Sequence, residues 1–235
     1  MFKYKEVIIL PLMVITLVQC SKSTPISLKE RLHNAYLDVI EEDENDLRPL
    51  VNLTHDDPLV TWNESNDKVL LFTLHRFPTS YIEGTTCTIT WGESWLCSAK
   101  EYAKWYLDNK NNIKDPLLRT KQLLGMSDDS RNTYISSLWF NPSDVYRPAY
   151  VTSPTKPMSL SFDEGNPDWF RAWFNSQYYY SYDVSKLPWT RLGYTYDWSK
   201  EAKDKYGLSE FIAFDGVSFV VEKTLPVEEF VNTLI

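Results

Sequence analysis

Apolar residues recur at helical spacing after Ser27: Leu28, Leu32, Ala35 and Val39 share one face of a 3.6-residue period. Ser27 and Glu30 form a capping-box pattern, which predicts a helix from residue 28. The acidic run "EEDEND", 41–46, reads as its solvated exit, since it lacks the glycine and spaced ligands of a calcium loop. "VLLFTLHRF", 69–77, predicts a strand, and Thr86–Trp91 alternates as a second one, with "YIEG" connecting them. Ser98 and Glu101 repeat the capping pattern before a helix carrying Tyr102, Trp105 and Tyr106 on one side. Asp115–Pro116 is a cap followed by a first-turn proline, and Gly125 closes that helix. Tyr134–Phe140 reads as a strand. Asn166 and Pro167 open a helix whose Phe170, Phe174 and Tyr178 lie one turn apart. "WTRLGYTYDW" reads as β-rich, and Ser199 and Gly207 bracket a short polar helix. "LSEFIAF" and "VSFVVEK" flank Asp215–Gly216, a hairpin signal, and Pro226 opens a terminal helix. Helices and strands interleave without strict βαβ repetition. The expected fold is α+β, one compact domain over 28–235, with a mixed or mostly antiparallel sheet and several packed helices.

The first residues follow another pattern. Lys3 and Lys5 precede an uncharged apolar run of twelve, "VIILPLMVITLV", 7–18. A membrane-crossing helix needs about 20 residues, so twelve fits the apolar part of an export signal. Cys20 follows in "LVQC", a sequence similar to the bacterial lipobox, although Gln19 stands where a small residue is usual. The expectation is a signal peptide, 1–19, lipidation at Cys20, and a polar tether over 20–27. This places the protein in the bacterial cell envelope, exported and membrane-anchored through its N-terminal lipid. Of three cysteines, Cys87 and Cys97 remain, and an oxidising compartment favours a disulfide between them over two independent thiols.

Composition narrows the chemistry. The formal charge of −8 disfavours nucleic acid, which needs clustered Lys and Arg. Seven glycines leave little for a phosphate cradle, and no nucleotide, metalloprotease or nucleophile-elbow motif occurs. No cofactor and no metal are therefore expected. His55 in "HDD" reads as a solvated turn.

Aromatics are the outlier. Thirteen fall between Phe162 and Trp198, more than twice the chain average. Phe170, Phe174 and Tyr178 read as core. Tyr182, Trp189, Tyr194, Tyr196 and Trp198 are candidates for an exposed binding face, oriented by Arg191 and Asp197, because Trp and Tyr join an apolar ring to a polar tip. The ligand would be a small molecule, a glycan or a protein.

"DPLLRTKQLLGM", "LWFNPSDVYRP", "WFRAWFNSQYYYSY", "WTRLGYTYDW" and "GLSEFI", in that order over Asp115 to Val221, resemble an uncharacterised family of bacterial exported proteins and lipoproteins. The resemblance implies export and a compact domain, and no activity. A second, looser one is to ADP-ribosyltransferase-type folds, through "VYRP", "WTRLG" and "GLSEFIAFDGVSFVVE". It implies an NAD-consuming transferase or glycohydrolase. Arg147 would hold the phosphate or ribose, Thr190 would stand on the middle strand, and Glu210 would stabilise an oxocarbenium-like state. Glu210 also shares a strand face with Ile212 and Phe214, so an Arg147 contact is expected to compensate it.

Overall fold

Ser27 accepts the amide of Glu30 and starts α1 (Leu28–Asp38). The computed structural model describes residues 25–234, so the signal peptide, Cys20 and the first part of the tether lie outside the described residues. The strands are β1 (Val69–His75), β2 (Thr86–Thr88), β3 (Glu93–Ser98), β4 (Tyr134–Phe140), β5 (Tyr194–Tyr196), β6 (Tyr206–Phe214) and β7 (Ser218–Pro226). The remaining helices are α2 (Ala99–Asn109), α3 (Pro116–Leu123), α4 (Asp168–Tyr179) and α5 (Val227–Asn232). Together they form one α+β domain whose strand pairs are all antiparallel, in the order β2-β7-β4-β1-β3-β6-β5. Among the described residues no helix is long and apolar enough to cross a membrane.

Local signals explain several boundaries. Asp115 accepts the amide of Leu118, with Pro116 in the first turn of α3. Gly125 ends that helix at φ 67°, where Met126 N bonds Lys121 O and Gly125 N bonds Gln122 O. That is the paired closure a left-handed glycine permits. α4 runs on into a π-helical turn, Tyr180–Ser185, which Lys186 stops at φ 52°.

The Asp215–Gly216 hairpin does not exist, because β6 and β7 do not pair with each other. Instead, Cys87 pairs with Phe219 and Thr88 with Ser218, and farther along Glu93 pairs with Phe214 and Cys97 with Glu210. Between these stretches the ladder continues through Ile89 N to Val217 O (2.9 Å), Gly216 N to Ile89 O (3.0 Å) and Asp215 N to Gly92 O (2.9 Å). Residues 86–98 and 206–220 are thus one antiparallel ribbon bent at a corner, with Gly92 at φ 99° and Gly216 at φ 87°. Glycine tolerates such angles, and corners of this kind curl sheets. One limb of the ribbon joins β4 through β7; the other joins β1 through β3. The sheet therefore curls, since the β2–β7 pair at one end of its strand order and the β3–β6 pair next to the other belong to the same ribbon.

One face of this curl buries Leu71, Leu96, Leu138, Phe211 and Phe219 against the loop residues Val51, Leu53 and Val60. The other packs Phe72, Ile135 and Leu208 against α2, α3 and α5 through Tyr102, Leu123 and Phe230. A third cluster joins α4 to α1 through Phe170, Phe174, Trp189 and Val39.

Three further expectations are corrected. Cys87 and Cys97 are both free, because they lie on different limbs of the ribbon with the corner between them. Residues 199–205 form turns, not a helix, and Gly207 belongs to β6. A Cβ there would stand 2.2 Å from Thr195 Oγ1 and 2.5 Å from Leu123 O, so glycine serves close approach. The 41–46 run is more than a solvated exit: Glu42 pairs with Arg191, and Asp46 Oδ1 lies 2.6 Å from Lys205 Nζ.

Candidate functional site

β1 pairs with β4 from Val69 to His75, and β3 pairs with β6 from Glu93 to Cys97. Between β1 and β3, however, only Leu71–Ser98 and Phe72–Cys97 are in register. Past Phe72 the two strands part, each held by its other neighbour, and the sheet has an open seam. A cavity of about 690 Å³ lies at this seam. Thr73, Leu74 and His75 line it from β1, and Glu93, Ser94 and Trp95 from β3. Tyr81, Trp91, Trp189 and Tyr194 add rings, and Gln177, Tyr180, Ser181 and Ser185 of α4 and its π-turn form another wall. Its volume falls within the range of small-ligand pockets, about 300–1,000 Å³.

Two carboxyls face the cavity. Glu93 is anchored, accepting Trp95 Nε1 at 3.0 Å and Trp173 Nε1 at 2.6 Å. Glu210 is not: among the described residues no group donates a hydrogen bond to its carboxyl. Strand alternation puts it on the face opposite Phe211, beside Leu208 and Ile212. Burial without a partner pushes its carboxyl up to about 8. Near neutral pH the group is largely a protonated acid, able to give a proton to a ligand or, once ionised, to hold a positive charge.

His75 lines the same cavity with its protons already placed. The Phe77 amide donates to Nδ1 at 3.2 Å, so Nδ1 is the bare nitrogen of a neutral ring. Nε2–H then donates to Ser136 Oγ (2.7 Å), Ser136 to Thr224 Oγ1 (2.7 Å), and Thr224 to Tyr81 O (2.8 Å). Burial lowers the His75 pKa to about 4, keeping the ring uncharged.

The other sequence-predicted residues lie elsewhere. Arg147 is fully buried on the Phe211 side of β6, its guanidinium over that ring at 5.1 Å. It donates to the carbonyls of Val51, Ser153 and Pro154 and to Asn52 Oδ1. The acids near it are Glu101 and Asp57, not Glu210. Glu101 accepts Ser209 N (2.8 Å) and Oγ (3.1 Å), and burial raises it to about 7 while Arg147 pulls it down. Thr190 is buried and donates to Tyr194 O. Neither Arg147 nor Thr190 borders the cavity, so the geometry does not assemble the three-residue NAD site with Glu210.

The expected exposed aromatic face is also corrected. Tyr182, Trp189, Arg191, Tyr194, Asp197 and Trp198 are all buried, and Tyr196 is partly buried. Their polar tips are tied internally. Tyr182 donates to Trp189 O, Arg191 to Val39 O, Tyr194 to Asp46 O, Tyr196 to Asp38 and Trp198 to Met126 O. Asp197 takes a two-pronged contact from Arg119, at 2.9 and 2.6 Å. Within this set only Trp189 and Tyr194 reach the cavity.

Sequence reasoning missed Glu93, Trp95, Trp91, Tyr81 and His75. One signal was available: "WGESW" sets Glu93 between two tryptophans, Trp91 and Trp95, at alternate positions. Comparison with protein-family models, with curated proteins and with solved structures finds no match to this chain.

Proposed function

We propose that this is a small-ligand-binding protein of the bacterial envelope, with its ligand seated in the seam cavity. The observation that carries the reading is Glu210, a partly buried carboxyl with no hydrogen-bond donor among the described residues, in an aromatic-lined cavity of ligand size. Such a group is costly to bury, and a bound ligand able to hydrogen-bond or neutralise it offsets that cost. A thermal-shift screen of the full chain against amines, nucleosides, sugars and aromatic acids tests the reading. At least one class raises the melting temperature. Gln177→Trp, a ring placed into the cavity from α4, removes that shift while leaving the free protein folded. If no class shifts the wild type, or the shift survives Gln177→Trp, the cavity is not the site.

Export and anchoring form the other half of the proposal. Their support is the apolar run before Cys20 and the resemblance to exported lipoproteins. Intact-mass analysis of membrane-extracted protein is expected to find a chain starting at Cys20 with added acyl mass. A soluble mature chain lacking Cys20 overturns it.

A further inference from the structure

We infer that the ligand of the seam cavity is a compact organic cation, an amine or quaternary ammonium carrying an apolar group. The inference rests on the binding reading above and goes beyond it by fixing the sign of the ligand's charge. Glu93 and Glu210 both face the cavity. Against them stand two nitrogen-bearing side chains that could carry positive charge. His75 is kept neutral by burial, with its two ring nitrogens engaged by the Phe77 amide and Ser136. Arg76 also lines the cavity; it is exposed, with its guanidinium over the Phe77 ring at 4.7 Å. A cation bound here can be paired by Glu93 and by Glu210 once it ionises, whereas an anion finds Arg76 as the one permanently positive side chain among the lining residues.

The rings favour the same choice. Trp95 Nε1 donates to Glu93, Trp91 Nε1 to Ser94 Oγ at 3.2 Å and Trp189 Nε1 to Pro148 O at 3.0 Å. With the indole N–H groups engaged, these side chains offer a ligand π surface and no donor. A π face carries negative potential and attracts ammonium groups.

Binding a cation beside Glu210 favours its ionised form, so the acid releases its proton as the ligand enters. The titratable and charged groups around it are Glu93, His75, Arg76, Tyr81, Tyr180 and Tyr194 along the cavity, and Cys97 across the β3–β6 pair. Among these, Glu210 is the acid whose carboxyl lacks a partner within the described residues.

The test uses three probes of similar shape on the full chain: benzyltrimethylammonium, benzyl alcohol and phenylacetate. Calorimetry at pH 7 is expected to give the ammonium probe a Kd at least tenfold below the other two. Repeating it in buffers of different ionisation enthalpy should reveal a proton released on binding. Glu210→Gln weakens the ammonium probe at least tenfold without lowering the melting temperature of the free protein, and the proton release disappears. Trp95→Leu weakens it as well. If the alcohol or phenylacetate binds as tightly, or Glu210→Gln leaves ammonium affinity intact, the cation inference falls while the cavity remains a binding site. If none of the three binds, and the wider screen also fails, both readings fall together.

Discussion

Ser209 and Glu210 are neighbours on β6, yet they serve two unlike regions. On the Ser209 side, the Glu101 carboxylate receives two hydrogen bonds and lies within the influence of Arg147, which in turn binds three backbone carbonyls. On the Glu210 side, a carboxyl that is likewise partly buried receives none from the described residues and lines a cavity. Both acids are shifted upward, to about 7 and about 8, and in both cases burial is the leading cause. The shift alone therefore does not separate a structural acid from a functional one. What separates them is partnership: Glu101 closes a network between β6 and the loop around Val51, whereas Glu210 has no hydrogen-bond donor among the described residues.

Breaking the partnered side should have the largest effect. Arg147→Ala removes the donor from several buried carbonyls and leaves Glu101 without its nearby positive charge. A loss of about 3–5 kcal/mol is expected in urea unfolding, as for other broken buried charge contacts. A loss below about 1 kcal/mol would mean the network is not holding the loop, by the usual size of surface substitutions.

On the open side the sign reverses. Glu210 is raised from 4.5 to about 8, so the folded state prefers the protonated acid. Its contribution is fully present below pH 4.5 and is lost as pH rises through 8. Glu210→Gln removes that loss, and at pH 8.5 it should stabilise the protein by about 2–4 kcal/mol, less than the full linkage value because the amide is itself unpartnered. Unfolding curves at pH 5 and 8.5 give the comparison. Equal destabilisation at both values would show that Glu210 is partnered after all.

His75 sharpens the contrast from the acid side. Its pKa is lowered from 6.5 to about 4, so the unfolded chain takes up a proton that the folded chain refuses. Stability therefore falls as pH drops from 6.5 to 4, by up to about 3 kcal/mol. His75→Phe should abolish this acid slope. At pH 7 it should cost about 1–3 kcal/mol, because the Phe77 amide and Ser136 lose a partner. An unchanged acid slope in the variant would assign it to other groups.

The smallest effect belongs to the cysteines. Cys87 sits partly exposed on the short edge strand, so Cys87→Ser should change stability by no more than about 0.5 kcal/mol. Its effect should add independently to that of Cys97→Ser. Strong coupling between the two would signal a bridge that the bent ribbon does not allow.

The sequence by itself determined most of the local elements. Ser27, Ser98 and Asp115 each accept a first-turn amide, β4 occupies Tyr134–Phe140 as its apolar run predicts, and Gly125 ends α3. These depend on neighbours a few residues away, so the chain states them directly. Pairing was decided only in three dimensions. Asp215–Gly216 announces a change of direction, but the strands beside it took their partner from residues 86–98, more than a hundred positions earlier. The same holds for the aromatic block. Ring spacing cannot say whether Tyr182 or Trp198 faces solvent or the core, because that depends on α1, on α3 and on the carbonyls of Trp189 and Met126 arriving beside them. Even the second capping box was redirected: Ser98 caps α2 as its position predicts, yet the Glu101 carboxyl turns to Ser209 on β6. The cavity has no local signature at all. It exists because β1 and β3 are each drawn toward a different neighbour, and only the closed curl of the sheet makes those two demands meet at one seam.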